Sequence, residues 1–211
     1  MRKQERALLI LDKLEEVYPD VKCSLNYTTP LEMLIATQLS AQCTDARVNI
    51  VTDTLFKKYR SAEDFANADY EELCNDIKSA GFYRNKAKNI IACCQRIIDA
   101  YNGEVPGTME DLLTLAGTGR KTANLVLGDI FGQPAYVVDT HCIRLTNRMG
   151  LTKNSDPVKI EQDLRKIIPP EKSLHFCHQL VAHGRAVCSA RKPMCEICNL
   201  NEVCKKVGVK V

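Results

Sequence analysis

The sequence has no long apolar segment. No stretch approaches the roughly 18–20 consecutive apolar residues that a membrane-spanning helix needs. The first residues, MRKQERALLILDKLEEVYPD, place charges among their apolar positions, so they show neither the apolar core nor the small-residue cleavage site of a signal peptide. We therefore expect a cytoplasmic protein without a membrane partner.

Excess charge of either sign is also small. The 211 residues include 29 Lys and Arg against 26 Asp and Glu, which gives a net charge of +3 at pH 7. This average neither predicts nor excludes a polyanionic partner. A prediction of nucleic-acid binding must instead depend on where the cations cluster.

Strand and linker patterns are missing as well. Sustained alternation of apolar and polar residues does not occur, and the only strand-like piece, YVV at 136–138, is too short to found a sheet. Apolar residues instead recur every three or four positions, as at Leu8, Leu11 and Leu14, which is typical of amphipathic helices. We predict an all-α fold of about ten helices, drawn from eleven candidate segments. They lie near 3–18, 30–39, 45–59, 62–67, 70–79, 84–101, 109–115, 120–131, 140–149, 157–168 and 171–187.

Capping residues support these helix starts. A side-chain oxygen at the N-cap accepts a hydrogen bond from a backbone N–H of the first turn, and proline fits the first helical position. Pro30 and Pro157 follow such caps directly. The predicted N-cap residues are Thr29, Ser61, Thr108 and Asp156.

Two glycines mark a tight turn between helices 109–115 and 120–131. Gly117 and Gly119 relieve the steric cost of positive φ and let another molecule approach the backbone. The N–H groups and dipole at the start of the second helix suit a phosphate, and Arg120 adds a cation there. An ordinary turn that uses glycine for geometry alone is the alternative.

Lys121 follows in the first turn of the second helix. Most lysines at such positions are solvated surface residues. The positive end of the helix dipole and the neighbouring Arg120, however, favour the neutral amine. A neutral amine is what a nucleophile that forms a Schiff base requires, so both interpretations stay open.

Asp139 stands between a short apolar segment and a helix in VVDTHCIRL. Its ordinary role is that of an N-cap, whose carboxylate accepts backbone N–H bonds. The same ionised group can also stabilise a developing cation if it faces a cleft. For His141, two residues later, we expect a structural hydrogen bond.

The eleven cysteines fall into two groups. Seven are scattered through helical patterns, where buried thiols serve as small apolar side chains. The other four lie within 17 residues, separated by six, two and five residues. A zinc site usually shows two close pairs, and a four-cysteine iron–sulfur cluster fits this spacing at least as well. The four are Cys188, Cys195, Cys198 and Cys204.

The first interval between these cysteines, SARKPM, is basic. It carries Arg191 and Lys192 on a loop tied down at both ends. We expect these cations to contact phosphate if a bound cluster holds the loop rigid.

Together these motifs resemble the endonuclease III family of DNA base-excision repair glycosylases, in the helix-hairpin-helix superfamily. The resemblance covers nearly the whole chain. It is carried by LIATQLSAQCTD, GFYRNKAKNI, NGEVP, GRKTAN, VDTHCIRLTNR, HGRAVC and ARKPMCEICNLNEVC.

The resemblance implies two helical domains with a DNA cleft between them. A six-helix barrel at 23–134 would contain the helix-hairpin-helix motif near 109–131. The second domain would combine 1–22 with 135–211 and hold a [4Fe-4S] cluster on the cysteines of the loop at 188–204. The resemblance further implies a monomer on the nucleoid that binds damaged double-stranded DNA and needs no protein partner.

The resemblance also implies an activity. Lys121 would attack C1′ of a flipped, oxidised pyrimidine nucleotide, with Asp139 assisting, and the Schiff base would permit β-elimination on the 3′ side of the abasic site. Gln42 and Phe82 would be the wedge and plug that fill the vacated space. Ser40 and Asp45, with His141, would line the pocket.

Two departures from the family pattern accompany these motifs. Ala116 and Thr118 replace the proline and valine of the common Leu-Pro-Gly-Val-Gly hairpin, which leaves the turn less preorganised. Phe82 stands where a smaller aliphatic residue is frequent. Two alternative functions are a monofunctional mismatch glycosylase, which Lys121 disfavours, and a non-catalytic iron–sulfur DNA-binding protein.

Overall fold

A computed structural model describes residues 1–209, and this part of the chain is helical and contains no strand. Within it, no helix combines the length and the apolar character that crossing a bilayer requires. The α helices are α1 (Lys3–Val17), α2 (Pro30–Leu39), α3 (Asp45–Lys58), α4 (Ala62–Ala66), α5 (Tyr70–Asp76), α6 (Tyr83–Tyr101), α7 (Met109–Leu113), α8 (Arg120–Asp129), α9 (Thr140–Arg148), α10 (Pro157–Arg165) and α11 (Ser173–Ala186). Two short 3-10 segments lie at Lys78–Ala80 and Pro170–Lys172.

The predicted all-α fold is confirmed, and the helix ends differ from the predicted ones by no more than three residues. The largest differences between predicted and observed ends occur at the C-termini of helices, where the chain leaves the α-helical conformation earlier than predicted. The helix predicted to run to 79 ends at Asp76, and the 3-10 segment Lys78–Ala80 follows it. Short 3-10 turns are common at helix ends.

The predicted N-caps are present. A side-chain oxygen of each accepts the N–H of the residue three positions later, as in the bond from the Glu32 N–H to Thr29 Oγ1 at 3.2 Å. In α2 the Glu32 carboxylate also accepts the Thr29 N–H, which completes a capping box. The caps of this kind are Thr29, Ser61, Thr108 and Asp156.

One compact unit comprises Cys23–Gly132 and contains α2 to α8. Helix α2 packs against α3, α6 and α8, and α4 lies along α6. The middle of α2 is apolar all round, with Met33, Leu34 and Ile35 fully buried. Helices α7 and α8 pack together and form the two arms of the predicted hairpin.

The other compact unit combines Met1–Lys22 with residues 133–209. Helix α11 packs against both α1 and α9. The predicted strand-like piece is buried and is not assigned to a strand, and in it the Tyr136 hydroxyl donates to the Ile168 carbonyl oxygen at 2.8 Å. Cys188, Cys198 and Cys204 pack against the apolar core of this unit.

Candidate active site

The hairpin turn is closed by a single backbone hydrogen bond, from the Thr118 N–H to the Leu115 carbonyl oxygen at 3.1 Å. Gly117 occupies the third position with φ of 73°, which is the signature of a type II turn. A Cβ at Gly117 would lie 3.0 Å from Asn89 Cβ and 3.1 Å from Gln38 Oε1. Both the backbone conformation and the space therefore require glycine here.

Gly119 serves a different purpose from Gly117. It is the N-cap of α8 and has an extended conformation with φ of −93°, which other residues also adopt. A Cβ there would meet no described atom within 4 Å apart from its chain neighbours. The predicted need for positive φ at this glycine is thus wrong, whereas the open space beside the first N–H groups of α8 fits the approach of a phosphate.

Gln38, a residue that sequence reasoning missed, braces the turn from α2. Its Nε2 donates to the Ala116 carbonyl oxygen at 3.1 Å and to Thr118 Oγ1 at 3.3 Å. It also lies 3.4 Å from Cys93 Sγ. Only 5% of Gln38 is exposed, so these bonds are shielded from water.

Lys121 is exposed in the first turn of α8. Because Gly119 has no side chain, the N-cap position offers no oxygen to the first N–H groups of the helix. The side chain of Lys121 lies close enough to Cys23 to act on its titration. The pKa of Cys23 is raised to about 11, mainly by burial and also by Asp129 and Asp45, whereas a hydrogen bond with the Leu25 backbone and the charge of Lys121 lower it.

The predicted pocket residues occupy different surroundings. Asp45 accepts a hydrogen bond from Ser24 Oγ at 2.5 Å and lies near Cys23, as Lys121 does. Ser40 is the C-cap of α2, and its Oγ donates to the Thr37 carbonyl oxygen at 2.8 Å. Asp45 and Lys121 therefore both lie near Cys23, whereas the Ser40 hydroxyl caps the end of a helix.

Asp139 is the N-cap of α9, as predicted. Its Oδ1 accepts the Cys142 N–H at 2.7 Å, and the residue is half-buried. The hydrogen bond restrains the rotation of the carboxylate. The group is therefore held in one orientation at the start of the helix.

His141 has the structural hydrogen bond that we expected. Its Nδ1 lies 3.1 Å from Arg144 Nη2. Arg144 also donates to the Cys188 carbonyl oxygen at 3.1 Å. A Cβ at Gly184 would lie 2.5 Å from His141 Nδ1, so only glycine in α11 allows this close approach.

Gln42 and Phe82 are exposed residues in left-handed backbone conformations, with φ of 54° and 48°. Such a conformation costs on the order of 1–3 kcal/mol for a residue other than glycine and often marks a functional position. Phe82 is 63% exposed, which excludes a core aromatic. Gln42 lies in a turn closed by the Cys43 N–H and the Ser40 carbonyl oxygen at 3.1 Å.

The four clustered cysteines line one pocket. Burial is the main cause that raises the pKa of Cys198. The charges of Cys204, Cys188 and Cys195 raise it further, so all three lie near Cys198. No group of three or more His, Cys, Asp or Glu side chains in residues 1–209 is arranged to hold a single metal ion. A [4Fe-4S] cluster takes one thiolate at each iron, and four thiols around one pocket fit that group.

Arg148 and His183 also line this pocket. Neither residue was identified from the sequence. Arg148 Nη1 donates to Cys188 Sγ at 3.2 Å and to the Ser189 carbonyl oxygen at 2.7 Å. His183 Nε2 lies 3.4 Å from Cys198 Sγ, and burial lowers the pKa of His183 to about 4. The imidazole is thus neutral, and hydrogen bonds of this kind stabilise cluster thiolates.

The loop between Cys188 and Cys195 presents its cations to solvent. Arg191 and Lys192 are both exposed. Ser189 Oγ donates to the Lys192 carbonyl oxygen at 2.7 Å and accepts the Lys192 N–H at 3.2 Å. The loop therefore has its own internal hydrogen bonds in addition to the anchor at Arg148.

Comparison with known proteins identifies the family. The family of HhH-GPD superfamily base excision DNA repair proteins matches residues 35–170. An endonuclease III from Synechocystis sp. is 52% identical over 203 residues, which cover 96% of this chain and 93% of the relative. An endonuclease III from Bacillus subtilis is 45% identical over 197 residues, covering 93% and 90% of the two chains.

A solved structure shows the same fold. It is a trapped endonuclease III–DNA covalent intermediate, 44% identical, with a TM-score of 0.93 over 98% of this chain and 97% of that one. The chain therefore belongs to the endonuclease III family of HhH-GPD base excision DNA repair proteins.

Proposed function

We propose that this protein is a bifunctional DNA glycosylase and abasic-site lyase that removes oxidised pyrimidines from double-stranded DNA. The observation that carries the proposal is the placement of an exposed lysine, Lys121, in the first turn of α8 directly after the hairpin turn. A related structure that was trapped as a covalent intermediate with DNA supports it.

The hairpin binds a DNA phosphate. Its turn ends at Gly119, beside open space, and the first N–H groups of α8 and the dipole of that helix attract an anion. Arg120 adds a positive charge at the same place. This phosphate contact brings Lys121 to the sugar of the flipped nucleotide, because Lys121 directly follows Arg120 in the first turn of α8.

Lys121 is the nucleophile. Its neutral amine attacks C1′, the glycosidic bond breaks, and the base leaves with the bonding electron pair and takes up a proton. Opening of the sugar ring at O4′ then gives a Schiff base on Nζ. Loss of a proton from C2′ expels the 3′ phosphate, and water releases Lys121 from the remaining aldehyde.

Asp139 assists this reaction as an ionised carboxylate. Its bond to the Cys142 N–H fixes the side chain in one orientation. A carboxylate in this state stabilises positive charge on the sugar or accepts a proton from the attacking amine. Asp45 faces the base, with Ser40 nearby in the same unit.

Gln42 and Phe82 fill the space that the flipped nucleotide leaves. Flipping costs a few kcal/mol, and less for a damaged base that stacks poorly. Both side chains are exposed on left-handed residues at loop tips, where they can enter the base stack. Phe82 supplies a large apolar surface for this purpose.

Cys188, Cys195, Cys198 and Cys204 would hold a [4Fe-4S] cluster. The cluster supplies a rigid cross-link for the C-terminal loop, whose Arg191 and Lys192 contact the DNA backbone. The protein acts as a monomer and needs no protein partner. Its substrate places it on the nucleoid in the cytoplasm.

Borohydride trapping tests the activity. We expect a covalent adduct when the protein meets a duplex that carries thymine glycol in the presence of borohydride, and none with Lys121→Ala. Lys159→Ala is the matched control, because Lys159 is also exposed in the first turn of a helix. Base release without an adduct would instead show a monofunctional glycosylase. The absence of both base release and an adduct would show a non-catalytic DNA-binding protein.

A further inference from the structure

Lys86 is a buried lysine whose ammonium group joins two separate segments of the chain. It lies in the first turn of α6, and only 6% of the residue is exposed. Its Nζ donates to the Leu39 carbonyl oxygen at 2.8 Å and to the Ala80 carbonyl oxygen at 2.9 Å. Lysine is almost never buried to this extent unless its charge is matched, so these two bonds account for its position.

Both acceptors lie at helix ends. Leu39 is the last residue of α2, and Ala80 is the last residue of the 3-10 segment Lys78–Ala80. Carbonyl groups at such ends lack partners within the helix and carry the negative end of its dipole. The Lys86 ammonium group therefore donates a hydrogen bond to one carbonyl group at each helix end, and it holds the two ends a fixed distance apart.

Each helix end leads directly into one of the exposed loops. Gln42 comes three residues after Leu39, and Phe82 comes two residues after Ala80. Lys86 lies close enough to Cys43, in the first of these loops, for the two groups to influence each other's charge. The helix ends that precede Gln42 and Phe82 are thus both hydrogen-bonded to the buried ammonium group of Lys86.

We propose that Lys86 is a positioning residue that couples the Gln42 loop to the Phe82 loop, so that both side chains enter the duplex as one unit. The inference rests on the insertion roles proposed above. Lys86 is buried, so it acts through the two carbonyl groups it holds and not through contact with DNA.

A double-mutant cycle measures this coupling. The readout is the Kd for a duplex that carries tetrahydrofuran, an abasic-site analogue that the enzyme cannot cleave. With Lys86 present, we expect Gln42→Ala and Phe82→Ala each to weaken binding. Their combined effect should depart from the product of the single effects by about threefold or more. In the Lys86→Met background, the fold-change in Kd of the double variant should equal the product of the two single fold-changes within about twofold.

Two further variants separate coupling from general damage. Lys86→Arg keeps a cation that can donate to both carbonyl groups, and it should retain the coupling. Lys88→Met removes an exposed lysine from the same helix and should leave the coupling unchanged. Thermal midpoints recorded for every variant show whether each one is folded.

The outcomes distinguish this inference from the function on which it rests. Coupling that persists in Lys86→Met overturns the role of Lys86 alone. If neither Gln42→Ala nor Phe82→Ala weakens binding, the insertion roles fail, and this inference fails with them.

If Lys86→Met does not fold, hydrogen exchange on proteins that retain Lys86 decides the question. Binding of the same duplex should protect residues 80–83 less in Gln42→Ala than in the unmodified protein. Equal protection of that segment in the two proteins would overturn the coupling.

Discussion

Gln38 Nε2 lies 3.1 Å from the carbonyl oxygen of Ala116, across 78 residues of sequence. Ala116 occupies the second position of the hairpin turn, where proline is common in type II turns. The turn-closing bond uses the Thr118 N–H and not that of Ala116. Gln38 therefore supplies from outside the turn the rigidity that a proline would supply from within it.

Replacing Gln38 with leucine should loosen the hairpin. The change leaves the buried Thr118 hydroxyl and the Ala116 carbonyl group without their donor, at a cost of about 1–3 kcal/mol. We expect a lower midpoint of urea denaturation and weaker binding to a tetrahydrofuran duplex. Ala116→Pro should recover about 0.4–1 kcal/mol in that background, because it restricts the unfolded chain and fits the turn.

The control for this prediction is Gln95→Leu. Gln95 is exposed on α6 and bonds only to the nearby Asp99 among the contacts described for its side chain. Its replacement should change stability by less than about 0.5 kcal/mol. Gln38→Leu with no greater effect than Gln95→Leu would contradict the bracing role.

The two hairpin glycines should respond differently to alanine. Gly117→Ala places a Cβ 3.0 Å from Asn89 Cβ on a left-handed backbone, which should cost more than about 1 kcal/mol of stability. Gly119→Ala meets open space and should cost less stability than Gly117→Ala, because alanine is only a poorer N-cap than glycine, while its methyl group hinders the approach of a phosphate. Gly119→Ala that binds duplex DNA as tightly as the unmodified protein would count against the phosphate site.

Much of the fold could be predicted because its signals are local. Apolar spacing located the helices, and capping residues such as Thr29 and Asp156 fixed their starts. The cysteine spacing located the proposed cluster loop for the same reason. These features depend on neighbours within one or two turns, which sequence patterns record directly.

The supporting contacts could not be predicted because they link distant residues. Lys86 reaches Leu39 across 47 residues, and Arg148 reaches Cys188 across 40. Neither side chain belongs to a periodic pattern that distinguishes it from a solvated cation. The left-handed backbone at Gln42 and Phe82 was equally hidden, since glycine is the residue that normally signals positive φ.

Cys23 should not compete with Lys121 as a nucleophile. Burial raises the pKa of its thiol to about 11, so at pH 8 only about one thiol in a thousand is the reactive thiolate. We expect alkylation of Cys23 by iodoacetamide, followed by peptide mapping, to accelerate about tenfold per pH unit between pH 8 and pH 10. Rapid labelling at pH 8 would contradict this, as would loss of borohydride trapping in Cys23→Ser.

Loss of one cysteine from the proposed cluster should affect binding more than chemistry. We expect Cys195→Ser to lose iron and visible absorbance and to bind duplex DNA about tenfold more weakly, because the basic loop is no longer held in place. The single-turnover rate at saturating protein should change much less. Cys74→Ala, which alters a buried thiol in the other unit, controls for general destabilisation.

The identity of the residue that carries the trapped sugar tests the central claim most directly. After borohydride reduction of the complex with thymine glycol DNA, nuclease and protease digestion and mass spectrometry locate the sugar remnant on one peptide. We predict that the remnant lies on Lys121 Nζ. A remnant on any other lysine, or on the N-terminal amine, would contradict the account.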